Sequence, residues 1–170
     1  MNTKEGKQGS MPAISPSETM VEMTELILPN DANVLGNVLG GRVMHWIDLA
    51  AAVAAHRHCK AVCVTAAIEG LSFLNPIKVG QLAHLEAKVV YTGKTALVTK
   101  VVVKSEDMDT GEMKKTSEAY LTFVNLGQNG KPAPVPPLLI QTEQEKLEFQ
   151  KAKRIKEHRL ALEKLELGEI

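Results

Sequence analysis

One carboxylate stands apart from its surroundings. Residues 43–55 are apolar nearly throughout at helical spacing, and Asp48 interrupts them. Removing a carboxylate from water is unfavourable unless it is paired, hydrogen-bonded or neutralised. Such a group is either tied down by a loop or a cation or kept for chemistry, and the residues alone leave both accounts standing. Ahead of it lie Gly40 and Gly41. Glycines at a helix start let a ligand reach unpaired amides, where the helix dipole favours developing negative charge, as in an oxyanion hole. The same pair would also suit a tight turn packed against a strand. Asp48 follows Gly41 by two helical turns, roughly 10 Å along the axis. It does not reach an atom held by the amides of its own Gly41. If both act on one carbonyl, they come from different subunits about a two-fold axis, giving a dimer with two equivalent composite sites.

Other chemistry-bearing residues form no working set. His56 and His58 point to different faces of a helix, and no second ligand pair accompanies them beyond Cys59 and Cys63, so no metal site is expected. Gly93-Lys94-Thr95 has the end of a phosphate-binding loop, yet Lys88 stands where its first glycine is required. There is no Gly-x-Ser-x-Gly elbow. His45, one turn before Asp48, reads as a partly exposed residue near the helix start.

The elements that would position these residues follow from periodicity. A helix is predicted over 41–58, buried on every side because it is apolar nearly all round. Strands are predicted over 20–28, 61–74, 81–91, 95–106 and 114–126, separated by Pro29-Asn30-Asp31, Asn75-Pro76, Thr92-Gly93, Asp109-Thr110-Gly111 and Gln128-Asn129-Gly130. The order strand, helix, four strands is that of an α+β fold, an antiparallel sheet wrapped around one central helix. Residues 1–19 read as a disordered tail, 20–130 as the domain, 131–141 as a Pro-rich linker and 142–170 as a charged helix. That last helix has no clean heptad and is a satellite element, available to a neighbouring subunit. The 170 residues fit one domain. Twenty positive and twenty negative residues leave no basic excess, which speaks against nucleic acid as a partner. Two cysteines and no apolar leader or spanning segment fit a cytoplasmic chain with reduced thiols.

The stretch from Asn33 through Gly36-Asn37-Val38-Leu39-Gly40-Gly41 to Val43-Met44-His45-Trp46-Ile47-Asp48 resembles the hot-dog acyl-CoA thioesterases, in particular the cytosolic acyl-CoA hydrolases. Val64-Thr65-Ala66, residues 72–80 and the Gly93-Lys94-Thr95 turn continue the likeness over roughly residues 20 to 136. The resemblance implies hydrolysis of fatty acyl-CoA. Asp48 would act as general base or as nucleophile, and Asn33 across the dimer would orient water or thioester. The amides of Gly41 and Arg42 would hold the carbonyl oxygen, and Gly40, Thr65, Gly93, Lys94 and Thr95 would contact substrate or the coenzyme A moiety. Arg57, Lys60 and Lys78 are further candidates for the phosphates. No metal or cofactor is implied, since coenzyme A belongs to substrate and product. Relatives of this kind form trimers of dimers, so a hexamer is expected. Two other readings compete: a hot-dog dehydratase or hydratase, which would set a His against a carboxylate, and a non-enzymatic acyl-CoA or nucleotide sensor, which would not need Asp48.

Overall fold

The computed structural model describes residues 11–168. The Val-, Leu- and Ala-rich segments form five strands: β1 (Val21–Leu26), β2 (Cys63–Phe73), β3 (Leu82–Thr92), β4 (Ala96–Glu106) and β5 (Met113–Asn125). They make one antiparallel sheet in the order β1-β3-β4-β5-β2. Alternation sets its two faces. In β3, Leu85, Ala87 and Val89 point into the core while Glu86 and Lys88 point away. Opposite them, Val101 faces Ala87 across one ladder and Ala119 across the next. Short turns join β3 to β4 at Gly93 and β4 to β5 at Gly111, whose φ of +71° lies in the left-handed region that glycine tolerates.

Helix α2 (Gly40–Cys59) lies along the inner face and touches all five strands. Val43, Trp46, Ile47, Ala50, Ala51, Ala54 and Ala55 recur at helical spacing and pack on Leu85, Val101, Leu121 and Phe123. The many alanines let the helix sit close to the sheet. Helix α3 (Glu143–Glu166), capped by Thr142 and Glu145, lies on the outer face. Its Ala152 and Ile155 join a second small cluster with Val90, Val98 and Tyr120.

The structure departs from the sequence expectations at two places. Residues 1–10 of the expected tail lie outside the described residues, but Ile14 to Thr19 are ordered. Ile14 bridges Leu138, and a short helix α1 (Pro16–Thr19) buries Pro16 and Thr19. The expected linker is not free either: the amides of Ala133 and Val135 donate to the carbonyls of Asn125 and Lys94, and Val135 is buried. Those two segments pair with each other, which neither segment's composition could show. Helix α2 is left open on one side by its own chain, the side that a second sheet would have to cover. Met44, Leu49 and Val53 are 38%, 47% and 37% exposed and are spread across this open half of the helix, which also carries Asp48.

Candidate active site

Asp48 sits half-buried on that open side. The Thr65 hydroxyl, on the inner face near the start of β2, donates to its Oδ1 at 2.8 Å. Seventeen residues of chain separate them, and helix and strand run in opposite directions, so the contact exists only once α2 has docked. The resemblance places Thr65 in contact with substrate or coenzyme A; the structure places its hydroxyl on the carboxylate, fixing the orientation of Asp48. The periodicity of either segment gives no sign of this bond.

The start of α2 is built by the loop before it. Asp31 pairs with Arg42 through Nε at 2.9 Å, and the Leu39 amide donates to the Asp31 carbonyl. Within the loop the Asn33 side-chain carbonyl accepts from the amides of Leu35 (3.0 Å) and Asn37 (3.2 Å). This is an Asx-type turn, and it commits the oxygen of the carboxamide while leaving its NH2 hydrogens to donate elsewhere. Asn33 itself is exposed.

The helix amides divide unequally. Those of Arg42 and Val43 donate to the Leu39 carbonyl at 3.0 and 3.2 Å. The first two, of Gly40 and Gly41, have no intrahelical acceptor, as the geometry of a helix start dictates. Of the two amides expected to hold a carbonyl oxygen, Arg42 is therefore already engaged and Gly41 is free. A Cβ on Gly40 would lie 3.4 Å from the Phe73 ring, whereas one on Gly41 would meet nothing within 4 Å. Beside Gly40 opens a cavity of about 270 Å3 with Val38, Val43, Phe73 and Ile77 in its walls.

Within one chain these parts do not converge. Gly40 and its loop lie at the Phe73 end of β2, and Asp48 lies toward the Thr65 end. The Gly93-Lys94-Thr95 turn is held by hydrogen bonds from Val135 and Asn125 to the Lys94 and Thr95 carbonyls, with the Lys94 side chain exposed. It stands at the Thr65 end of the sheet, two strands over, because Ala96 pairs with Val124 and Val124 with Val64. Arg57 is committed elsewhere, donating to the Met20 carbonyl at 2.7 Å. His58 is fully buried and donates to the Pro136 carbonyl. Burial pushes its pKa down, against the opposing pull of that hydrogen bond and of Glu18, so it is a neutral packing residue. Cys59 and Cys63 are free thiols in contact, the first pushed up in pKa by hydrogen bonding to the second and the second pulled down.

An antiparallel sheet folded about one central helix, with a carboxylate on that helix and free amides at its start, defines the hot-dog class, and sequence comparison agrees. The model of the thioesterase superfamily matches residues 35–112. An uncharacterized acyl-CoA thioester hydrolase of Bacillus subtilis is 38% identical over 128 residues, 75% of this chain and 74% of the relative. The human cytosolic acyl coenzyme A thioester hydrolase is also similar but longer, and the chain spans 35% of it. Among solved structures, an apo-hexameric acyl-CoA thioesterase matches with a TM-score of 0.85 and 37% identity, over 89% of this chain and 97% of the other. An acyl-CoA hydrolase from Staphylococcus aureus, in complex with butyryl coenzyme A, coenzyme A and coenzyme A disulfide, matches with a TM-score of 0.85 and 32% identity over 93% and 96%. Alanine variants of that enzyme at an Asp, an Asn and a Thr are similar too. The chain belongs to the thioesterase superfamily, among the acyl-CoA thioester hydrolases.

Proposed function

We propose that this protein hydrolyses fatty acyl-CoA to a free fatty acid and coenzyme A in the cytoplasm, with Asp48 as general base. The observation that carries this reading is the Thr65–Asp48 hydrogen bond on the open side of α2. A carboxylate held by one hydroxyl, with its second oxygen uncommitted, can accept a proton from water. The residues replaced in the Staphylococcus aureus variants support the assignment: their Asn, Asp and Thr are spaced like Asn33, Asp48 and Thr65, fifteen and then seventeen residues apart. The partner of Asp48 is a hydroxyl and not an imidazole, which favours hydrolysis over the hydratase reading.

The site is completed by a second copy. β2 is an edge strand, and Met44, Leu49 and Val53 leave apolar surface uncovered on the open half of α2. Pairing two β2 strands antiparallel extends the sheet to ten strands and covers both open sides. It also brings the Phe73 end of one strand, with Gly40, Gly41 and the Asn33 loop, beside the Thr65 end of the other. Asn33 and the Gly41 amide of one copy then serve the Asp48 of its partner, as the 10 Å spacing requires. Three such dimers would make the hexamer that the apo relative forms.

In the reaction, water held by Asp48 and the Asn33 carboxamide attacks the thioester carbon while Asp48 takes its proton. The oxygen develops negative charge against the Gly41 amide and the start of α2. The C–S bond then breaks, and the thiolate of coenzyme A leaves with the proton returned from Asp48. No cofactor takes part. The cavity beside Gly40 offers apolar walls for the acyl chain, and Gly93, Lys94 and Thr95 would meet the nucleotide.

The test is thiol release from acyl-CoAs of rising chain length. Asp48→Ala and Asn33→Ala should each lose at least about a hundredfold in kcat. Full activity in the Asp48 variant would remove the general base from the account.

A further inference from the structure

Helix α3 reaches further than its own sheet. Its inward contacts follow one face in order: Glu148 pairs with Lys88 on β3 (2.9 Å) and Lys100 on β4 (3.0 Å), Lys151 with Glu118 on β5 (3.1 Å), and Arg159 with Glu69 on β2. Eleven residues of helix, roughly 16 Å, thus cross three strand spacings of about 4.8 Å each. At Arg159 the helix stands over the edge strand. The helix continues to Glu166, about 10 Å or two strand spacings past that edge.

The overhanging turns keep the face that the earlier turns bury. Glu148, Ala152, Ile155 and Arg159 recur at spacings of three and four, and the next positions in the series are Leu162 and Glu166, with Leu165 one turn beyond Leu162 at the border of that face. Both leucines are uncovered, at 47% and 60% exposure, and every residue from 160 to 168 is exposed. Alongside runs an open groove lined by Gly70, Ile155, His158 and Leu162. Adding a Cβ at Gly70 would bring it to 3.5 Å from the Tyr120 ring, and φ there is +60°, so the strand is kept bare where the groove passes.

We infer that the last two turns of α3 are a strap that crosses onto a second copy of this chain, seating Leu162 and Leu165 in the groove beside the second copy's own α3. The inference rests on the proposed antiparallel pairing of two β2 strands. Glu69, over which α3 crosses, lies one residue from the middle of β2 (Cys63–Phe73), so the two helices converge near the two-fold axis and run antiparallel. Charge agrees with that orientation. The turns entering the crossing carry Lys153, Arg154 and Lys156 against one Glu157, and those leaving it carry Glu163 and Glu166 against one Lys164, so antiparallel helices set net basic against net acidic turns. The strap ties the outer faces together where the β2 ladder ties the edges.

The test compares the intact protein with the double variant Leu162→Glu, Leu165→Glu by sedimentation equilibrium, together with hydrogen exchange of the amides at 160–166. In the intact oligomer those amides should be protected, and they should lose protection on dilution below the dissociation constant. The double variant should raise that constant at least about a hundredfold, since two desolvated anchors are lost. An unchanged constant overturns the strap and leaves the β2 dimer standing. A monomeric intact protein overturns both. Protection that persists unchanged in the monomer also overturns the strap, because the turns would then be ordered by their own chain.

Discussion

Gly40 and Gly41 look alike in the sequence and differ in their surroundings. The first packs its bare Cα against Phe73, so a methyl group there meets the ring at 3.4 Å, while the second borders open space. Both amides lack a helical acceptor, and Gly41 borders open space on the side where a Cβ would stand. Gly41→Ala should therefore leave the chain as stable as before or more so by up to about 1 kcal/mol, since alanine is the better helix former. It should also lower kcat/KM at least about tenfold by crowding the Gly41 amide. Thermal melting and steady-state hydrolysis, measured on the same preparation, separate the two effects. Full hydrolysis by a normally folded variant would move the oxyanion contact away from this amide.

At the scale of elements, α3 is fastened to the sheet by ion pairs as well as by its small apolar cluster. Burial alone would raise the carboxyls of Glu118 and Glu148. The ammonium groups of Lys115 and Lys151 outweigh it at Glu118 and hold it down to about 2; those of Lys88 and Lys100 hold Glu148 down. Carboxyls depressed in the fold stabilise it above the ordinary carboxylate pKa near 4.5 and lose that contribution as pH falls toward 2. Glu118 is partly solvated, so its share is on the order of 1 kcal/mol. Chemical denaturation between pH 6 and 2.5 should show stability declining through this window, with a shallower decline in Glu118→Gln. Equal slopes would mean that Glu118 contributes nothing in this window and that Glu148 carries it.

The same element shows what the sequence could and could not disclose. The five strands and α2 were legible within a few residues because apolar periodicity switches cleanly between two and 3.6. α3 was legible as a helix, but not its docking, because its buried contacts are an alanine and a glutamate that read as solvated. Asp48 was conspicuous as a polar break in an apolar run. Thr65, by contrast, is one of many strand threonines, and only the packing of helix on strand gives it a partner. The pairing of residue 14 with residue 138 was hidden for the same reason: long-range contacts leave no local period.

The whole molecule sets the last condition on the chemistry. One chain holds Asp48 with Thr65 near one end of β2 and the Asn33 loop with Gly41 near the other, so an isolated protomer has both halves of a site and no complete one. If the antiparallel dimer joins them, each site takes Asn33 from one copy and Asp48 from its partner. Mixing Asn33→Ala with Asp48→Ala chains, each nearly inactive, then has a defined result. In a hybrid dimer one site carries both defects and the other carries neither. Random reassociation makes about half of the dimers hybrid, and each hybrid has one working site of two, so about a quarter of wild-type activity should return. Were Asn33 and Asp48 to act within one chain, every site in every hybrid would carry one defect, and mixing would restore nothing. The recovery must also depend on exchange of subunits: it should grow at the rate at which labelled copies mix, and it should be absent when the two variants are crosslinked as homodimers beforehand.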